Sequence, residues 1–289
     1  MRLVMALAVL ACLAVTVAGA QTPEETHRFS VHDMLAMDRI YDPQVSPDGQ
    51  WIAFMVRETD MEANQGRTDL FWVHVEGEKL RRITTDPAGD WNPRWSADGS
   101  QLFFLSSRSG SAQVWSLPVG GGEAVQVTDL PLDVGNLVVS PDGGKIAFTM
   151  EVFPDCETVE CTVERLEERE ERKASGQLYE ELPVRHWDTW EDGRRSHLFV
   201  MELEGDGPPV DVMGGMDADV PVKPFNGPED ITFTPDGEGL VFATKDVGRK
   251  EMWSTDLDLY HVPADGSAAP KCLTEDNRAY DAHPLFSPD

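Results

Sequence analysis

The sequence is poor in positive charge, above all in lysine, and poor in cysteine. Its 24 Lys+Arg, of which 7 are Lys, stand against 52 Asp+Glu, giving a formal net charge of −28. The pI is near 4.4. A surface that acidic repels phosphate backbones, which excludes nucleic acid as a partner, and it disfavours anionic lipid. Mean hydropathy is −0.35, which excludes a polytopic membrane protein. With 40% apolar residues in 289, the chain is not a disordered tail, because a sizeable core can be buried.

The longest apolar run is at the start. Arg2 precedes Leu3 to Val17 and then Ala18-Gly19-Ala20, the charged, hydrophobic and small-residue zones of a secretory signal peptide over residues 1–20. The run is shorter than the ~20 residues of a membrane span. Cleavage after Ala20 would leave Gln21 first and place the mature protein in the periplasm or outside the cell. Cys12 leaves with the leader. Of the remaining three, Cys156 and Cys161 have a spacing that suits a short-loop disulfide in an oxidising compartment. Neither His186 nor His197 completes a zinc-like spacing with them, so no metal and no cofactor are expected. Cys272, in an apolar strand-like stretch, is expected to be a buried free thiol.

A repeat organises the rest. Val45-Ser46-Pro47-Asp48-Gly49 recurs as Trp95-Ser96-Ala97-Asp98-Gly99, Val139-Ser140-Pro141-Asp142-Gly143 and Phe233-Thr234-Pro235-Asp236-Gly237, and Phe286-Ser287-Pro288-Asp289 begins a fifth copy. Each copy is a hairpin turn between apolar strands. Third strands follow at Leu70–Val73, Val114–Leu117, Leu198–Met201 and Leu259–Val262. Fourth strands carrying a Thr follow in three units, at Arg82–Thr84, Gln126–Thr128 and Cys272–Thr274. Four short strands about every 45 residues make the blade of a β-propeller. The expected fold is all-β: four blades over residues 41–289 and the start of a fifth, with residues 21–40 as an N-terminal helical segment. The third unit carries an insertion over about 153–190, whose Glu/Arg-rich centre predicts a helix over 162–173, N-capped by Thr162 and stopped near Gly176. It reads as a solvated surface helix or as a lid rooted by the disulfide.

The leader, the Ser-Pro-Asp-Gly blades, the segments Leu105–Gly110 and Glu151–Cys156 and the stretch Arg185–His197, with its Arg185-His186-Trp187-Asp188-Thr189-Trp190, together resemble the N-terminal propeller of secreted bacterial prolyl-oligopeptidase-family serine peptidases, of the dipeptidyl-peptidase-5-like and acylaminoacyl-peptidase-like branch. The blade motif alone is shared with TolB-like propellers; the cysteine segment and the His-Trp-Asp-x-Trp stretch are more specific. The resemblance implies an α/β-hydrolase domain of the same protein beyond Asp289, carrying the Ser-Asp-His triad. This chain has no Gly-x-Ser-x-Gly, so it holds no catalytic residue and is expected to be inactive alone. It also implies that the propeller restricts entry to short peptides and helps hold their N-terminal ends, with Arg108, Glu151, Arg185, His186, Trp187 and Trp190 as candidate substrate contacts, and it is compatible with a homodimer. Each candidate has a plainer reading: Trp187 and Trp190 as blade core, His186 as a surface imidazole, Arg108 paired within its own loop. A stand-alone periplasmic protein-binding propeller is the alternative. A sugar- or metal-binding propeller finds little support, since Asp217-Ala218-Asp219 and Asp256-Leu257-Asp258 lack calcium-loop spacing.

Overall fold

The computed structural model describes residues 27–180 and 182–287. The expected signal peptide and the last two residues of the fifth motif copy lie outside them. The chain divides into two units at Met37/Asp38. In the first, Ser30 caps the helix α1 (Val31–Ala36) through a capping box with Asp33.

The second unit contains four antiparallel four-stranded sheets. Blade one is β1 (Arg39–Val45), β2 (Trp51–Asp60), β3 (Gln65–His74) and β4 (Arg81–Arg82). Blade two is β5 (Asp90–Trp95), β6 (Gln101–Ser106), β7 (Gln113–Pro118) and β8 (Val125–Gln126). Blade three begins with β9 (Gly135–Val139) and β10 (Lys145–Val152). It is then interrupted by the helix α2 (Val159–Glu170) and the small hairpin β11 (Arg185–His186) and β12 (Thr189–Trp190). It is completed by β13 (Arg195–Glu202) and β14 (Val210–Asp211). Blade four is β15 (Ile231–Phe233), β16 (Gly239–Thr244), β17 (Asp258–Pro263) and β18 (Lys271–Cys272). The first strands β1, β5, β9 and β15 are neighbours in series and form the inner ring.

The repeated motif builds the same turn each time. Ser46 Oγ donates to Asp48 Oδ1 at 2.6 Å and accepts from Trp51 N at 2.9 Å. Ser96, Ser140 and Thr234 repeat this pair of bonds with Asp98, Asp142 and Asp236. The motif glycines have φ near +70°, from 70 at Gly49 to 75 at Gly143, a conformation that costs little only without a Cβ.

Strand faces alternate, and both faces of blades two and three are apolar because each of these blades is sandwiched between two others. On β6, Leu102 and Phe104 pack towards Ala53 and Leu70 of blade one. Phe103 and Leu105 pack towards Ile146, Phe148 and Met150 of blade three. Ala147, Leu198 and Val200 in turn meet Leu240, Phe242 and Val262 of blade four. Burying each large side chain contributes roughly 1.5–3 kcal/mol.

A latch closes most blades. Thr84 Oγ1 accepts from Leu70 N at 2.9 Å and donates to Asp69, Thr128 does the same for Val114 N and Gln113, and Thr274 for Leu259 N and Asp258. Blade three, where the sequence showed no fourth strand, has one at β14. There Met213 Sδ takes the threonine's place and accepts from Leu198 N at 3.2 Å.

The insertion corrects three expectations. Helix α2 begins earlier, with Thr158 as N-cap, while Thr162 is buried inside it and accepts from Phe153 N. The helix ends at Glu170, short of Gly176. It is also not simply solvated: Val159, Val163 and Leu166 pack on the core between blades two and three. The Cys156–Cys161 disulfide forms as expected. Arg165 adds a two-bond ion pair to Asp155 at 2.7 and 3.0 Å. Cys272 is a free thiol, but it is half-buried on the short outer strand β18 rather than buried.

Candidate functional site

Blades one and two clasp the inner strand that follows them, and blade four clasps the chain segment that follows it. Asp42 Oδ2 accepts from Arg94 at 2.8 Å. Asn92 bonds the N–H and C=O of Leu137 at 2.8 and 3.2 Å. Asp230 Oδ1 accepts from His283 N at 3.1 Å. Each clasp residue stands four positions before the Ser or Thr of its turn motif, a spacing visible in the sequence but outside the repeated Ser-Pro-Asp-Gly segment. Asn136, at the same position of blade three and at φ 49, is the exception, since its side chain turns back to Thr149 Oγ1 at 2.9 Å. The inner strand it faces, β15, has 3 residues, against 7, 6 and 5 for β1, β5 and β9.

A cleft of about 250 Å³ opens at this place, lined by Asn136, Thr149, Glu151 and Ser196 of blade three and by Lys223, Pro224 and Asn226 of the connection to blade four. That connection is pinned at its middle, Asp219–Val220, to blade three on one side and to blade four on the other. Val220 N donates to Ser196 O at 2.8 Å, and Thr244 Oγ1 donates to Asp219 O at 2.9 Å.

The cleft is electrostatically built. Lys223 Nζ lies 2.8 Å from Glu151 Oε2 and 3.0 Å from Asp219 Oδ1. Burial alone would lower the Lys223 pKa, but the charges of Asp219 and Glu151 more than offset it and hold the ammonium. Asp219, 6% exposed, is further tied to Ser196 N and to Arg195 at 3.0 Å. Arg195 also reaches Asp217 at 2.7 Å and Glu251 at 3.1 Å, so these aspartates serve an ion-pair hub. Burial raises the pKa of Glu191, and the nearby Asp219 charge adds to the effect against Lys223, His186 and Arg195. Carboxylates at Glu151, Asp133, Asp219 and Glu191 outnumber the cations at Lys223 and Arg195, so an incoming cation is favoured. Glu151 is the one placed to meet it, with a side chain that is 40% exposed. Among the described residues no group of His, Cys, Asp and Glu is arranged to hold a metal ion.

The sequence candidates separate into three places. Glu151 lines the cleft. Arg108 does not: it pairs with buried Asp90 at 2.6 Å and lies over the rings of Phe104 and Trp115, which ties it to its own blade. The other four lie on the β11–β12 hairpin. Arg185 covers the ring of Trp190, which stacks on Tyr179 at 5.8 Å. His186 Nε2 is 3.8 Å from Glu191 Oε1. Trp187 and Trp190 are not blade core, being 70% and 56% exposed. Trp187 meets Phe225 edge to face at 5.5 Å, next to the lining residues Pro224 and Asn226. Sequence reasoning missed Lys223, Phe225 and Asn226, and weighed Asp219 only as a calcium ligand. They lie in a connection without periodicity, and Lys223 is 72 positions from Glu151.

The TolB β-propeller domain model matches residues 29–184. The chain belongs to that family. Among curated proteins it is 30% identical over 261 residues to a dipeptidyl-peptidase 5 of Porphyromonas endodontalis, covering 89% of this chain and 36% of the relative. It is 28% identical over 268 residues to the dipeptidyl-peptidase 5 of Porphyromonas gingivalis, covering 88% and 36%. The chain thus spans about 36% of the length of these relatives. An acylaminoacyl peptidase structure from Pyrococcus horikoshii aligns with a TM-score of 0.55 at 15% identity, over 83% of this chain and 32% of that one, a likeness of fold. Among the described residues no helix is long and apolar enough to cross a membrane.

Proposed function

We propose that this chain is the non-catalytic propeller portion of an exported serine exopeptidase of the dipeptidyl- or acylaminoacyl-peptidase type, and that it gates and orients peptide substrates. The observation that carries this reading is the half-exposed Glu151 carboxylate, set in an anionic cleft at the end of the inner ring. A peptide's terminal ammonium can bond Glu151 there with charge assistance, while the propeller restricts entry to short, unfolded peptides. The similarity to two dipeptidyl-peptidases supports the reaction class. Hydrolysis itself would be performed by an α/β-hydrolase domain of the same protein.

The test is an assay of the complete gene product on dipeptidyl and acyl-aminoacyl chromogenic substrates with a serine-directed inhibitor. Inhibitor-sensitive release is expected. Glu151→Gln should raise KM for free-amine substrates by about tenfold, the loss of one charge-assisted bond. A product without hydrolysis would instead be a protein-binding propeller.

A further inference from the structure

Trp187 sits at the tip of the β11–β12 hairpin with φ 48, in the left-handed region. That conformation suits Gly or Asn and is unfavourable for so large a side chain. Local strain of this kind persists where the surroundings or a function require it. Folding gains little in return, because Trp187 is 70% exposed and its partner Phe225 is 79% exposed. Two indole- and phenyl-sized surfaces therefore stand together in water. Phe225 is flanked in sequence by Pro224 and Asn226, which line the anionic cleft. The arrangement pairs a cation-favouring carboxylate with an open aromatic corner.

We infer that Trp187 and Phe225 form the specificity-determining wall of the cleft, and that the preferred ligand is a peptide whose N-terminal residue carries an aromatic side chain. This rests on the amine-anchoring role proposed for Glu151. The ammonium sits on Glu151 and the ring packs into the Trp187–Phe225 corner, where edge-to-face and cation–π geometry are both available. Complementarity of charge on one side and of apolar surface on the other makes this pairing more selective than either alone.

Three small probes separate the contributions: phenylalaninamide, glycinamide and N-acetylphenylalaninamide, titrated calorimetrically into the complete gene product at about pH 6.5, where an α-amino group is protonated. Phenylalaninamide should bind about tenfold more tightly than glycinamide. Trp187→Ala and Phe225→Ala, on separate elements, should each cut that preference to about twofold while leaving glycinamide binding unchanged. Trp187→Gly should raise the melting temperature by removing the backbone strain and still abolish the preference, a combination that a merely structural role would not produce. The inference is overturned if the preference is absent, if it survives in both alanine variants, or if those variants alter stability and leave selectivity intact, which would make the corner an intramolecular seat. The amine anchor is judged separately: it fails if Glu151→Gln leaves glycinamide binding unchanged. The aromatic wall is judged by the comparison of side chains at a fixed amine.

Discussion

His197 offers the sharpest test of the physics that holds blade three together. Its imidazole is fully buried on β13. Nδ1 lies 2.8 Å from Asp211 Oδ2, and Nε2 lies 2.8 Å from the Met216 carbonyl. Both partners accept, so both ring nitrogens must donate, and the ring is held as imidazolium. Burial pulls its pKa down, but the bond to and charge of Asp211, with the Met216 carbonyl, outweigh it and leave the pKa raised. A raised folded-state pKa contributes stability that is fully present below the unfolded value of about 6.5 and is lost as pH rises through the folded value. Replacing His197 by Leu removes two bonds to a charged donor and leaves a carboxylate and a carbonyl without it, a cost of about 2–4 kcal/mol. For a unit of this size that is a fall in Tm of roughly 5–15 °C. Melting wild type and His197→Leu across pH should therefore show a gap that is widest near pH 6 and narrows towards pH 9. A gap that stays constant or widens with pH would refute the assignment of a buried imidazolium, as would an imidazole that NMR shows to be neutral at pH 6.

Other expectations follow from the same structure. Opening the Cys156–Cys161 bridge by Cys156→Ser should cost about 2 kcal/mol, because the closed ring is short. The far-ultraviolet circular dichroism should stay unchanged, since Thr162, the Arg165–Asp155 pair and the bond from Arg169 to Asp192 O at 2.7 Å still hold the helix. Thr128→Val should cost about 1–3 kcal/mol by leaving Val114 N and Gln113 without their shared hydroxyl, read as a shift of the denaturant midpoint. Asp98, held by Ser100 N and by the Ser96 and Ser100 hydroxyls, should titrate by carbon-detected NMR at about 2. Its contribution is present above its ordinary value and is lost as pH falls through that depressed one. An ordinary titration midpoint would show that the motif turn is not formed as described.

The blades were legible because each copy of the motif is chemically self-sufficient: hydroxyl, Asp and Gly close the turn with no help from elsewhere in the chain. The disulfide was legible for the same local reason. The cap of α2 was misplaced because two threonines, Thr158 and Thr162, stand four apart, and only tertiary packing shows that Thr162 is buried. The fourth strand of blade three was missed because Met213 replaces the threonine that marks the other latches. At the site, Glu151 was found through the resemblance carried by the Glu151–Cys156 segment, whereas its partner Lys223 lies in the connection to blade four. The two meet only when blades three and four are side by side. Trp187 was found, but not its setting, since exposure is decided by the hairpin that lifts it away from the sheet.

The position of the insertion also bears on how the molecule assembles in time. Strands β6 and β7 pair after closing a connection over residues 107–112, whereas β10 and β13 must close one over 153–194. Loop-closure entropy makes the second pairing costlier to initiate by about 1.5–2 kcal/mol. Blade three is therefore the natural late-forming unit, and blade four has no partner face until it is in place. Oxidation of Cys156–Cys161 and early growth of α2 both shorten the span that diffusion must search. In a refolding experiment, the cleft should be the last part of the molecule to protect its amides, arriving with β13.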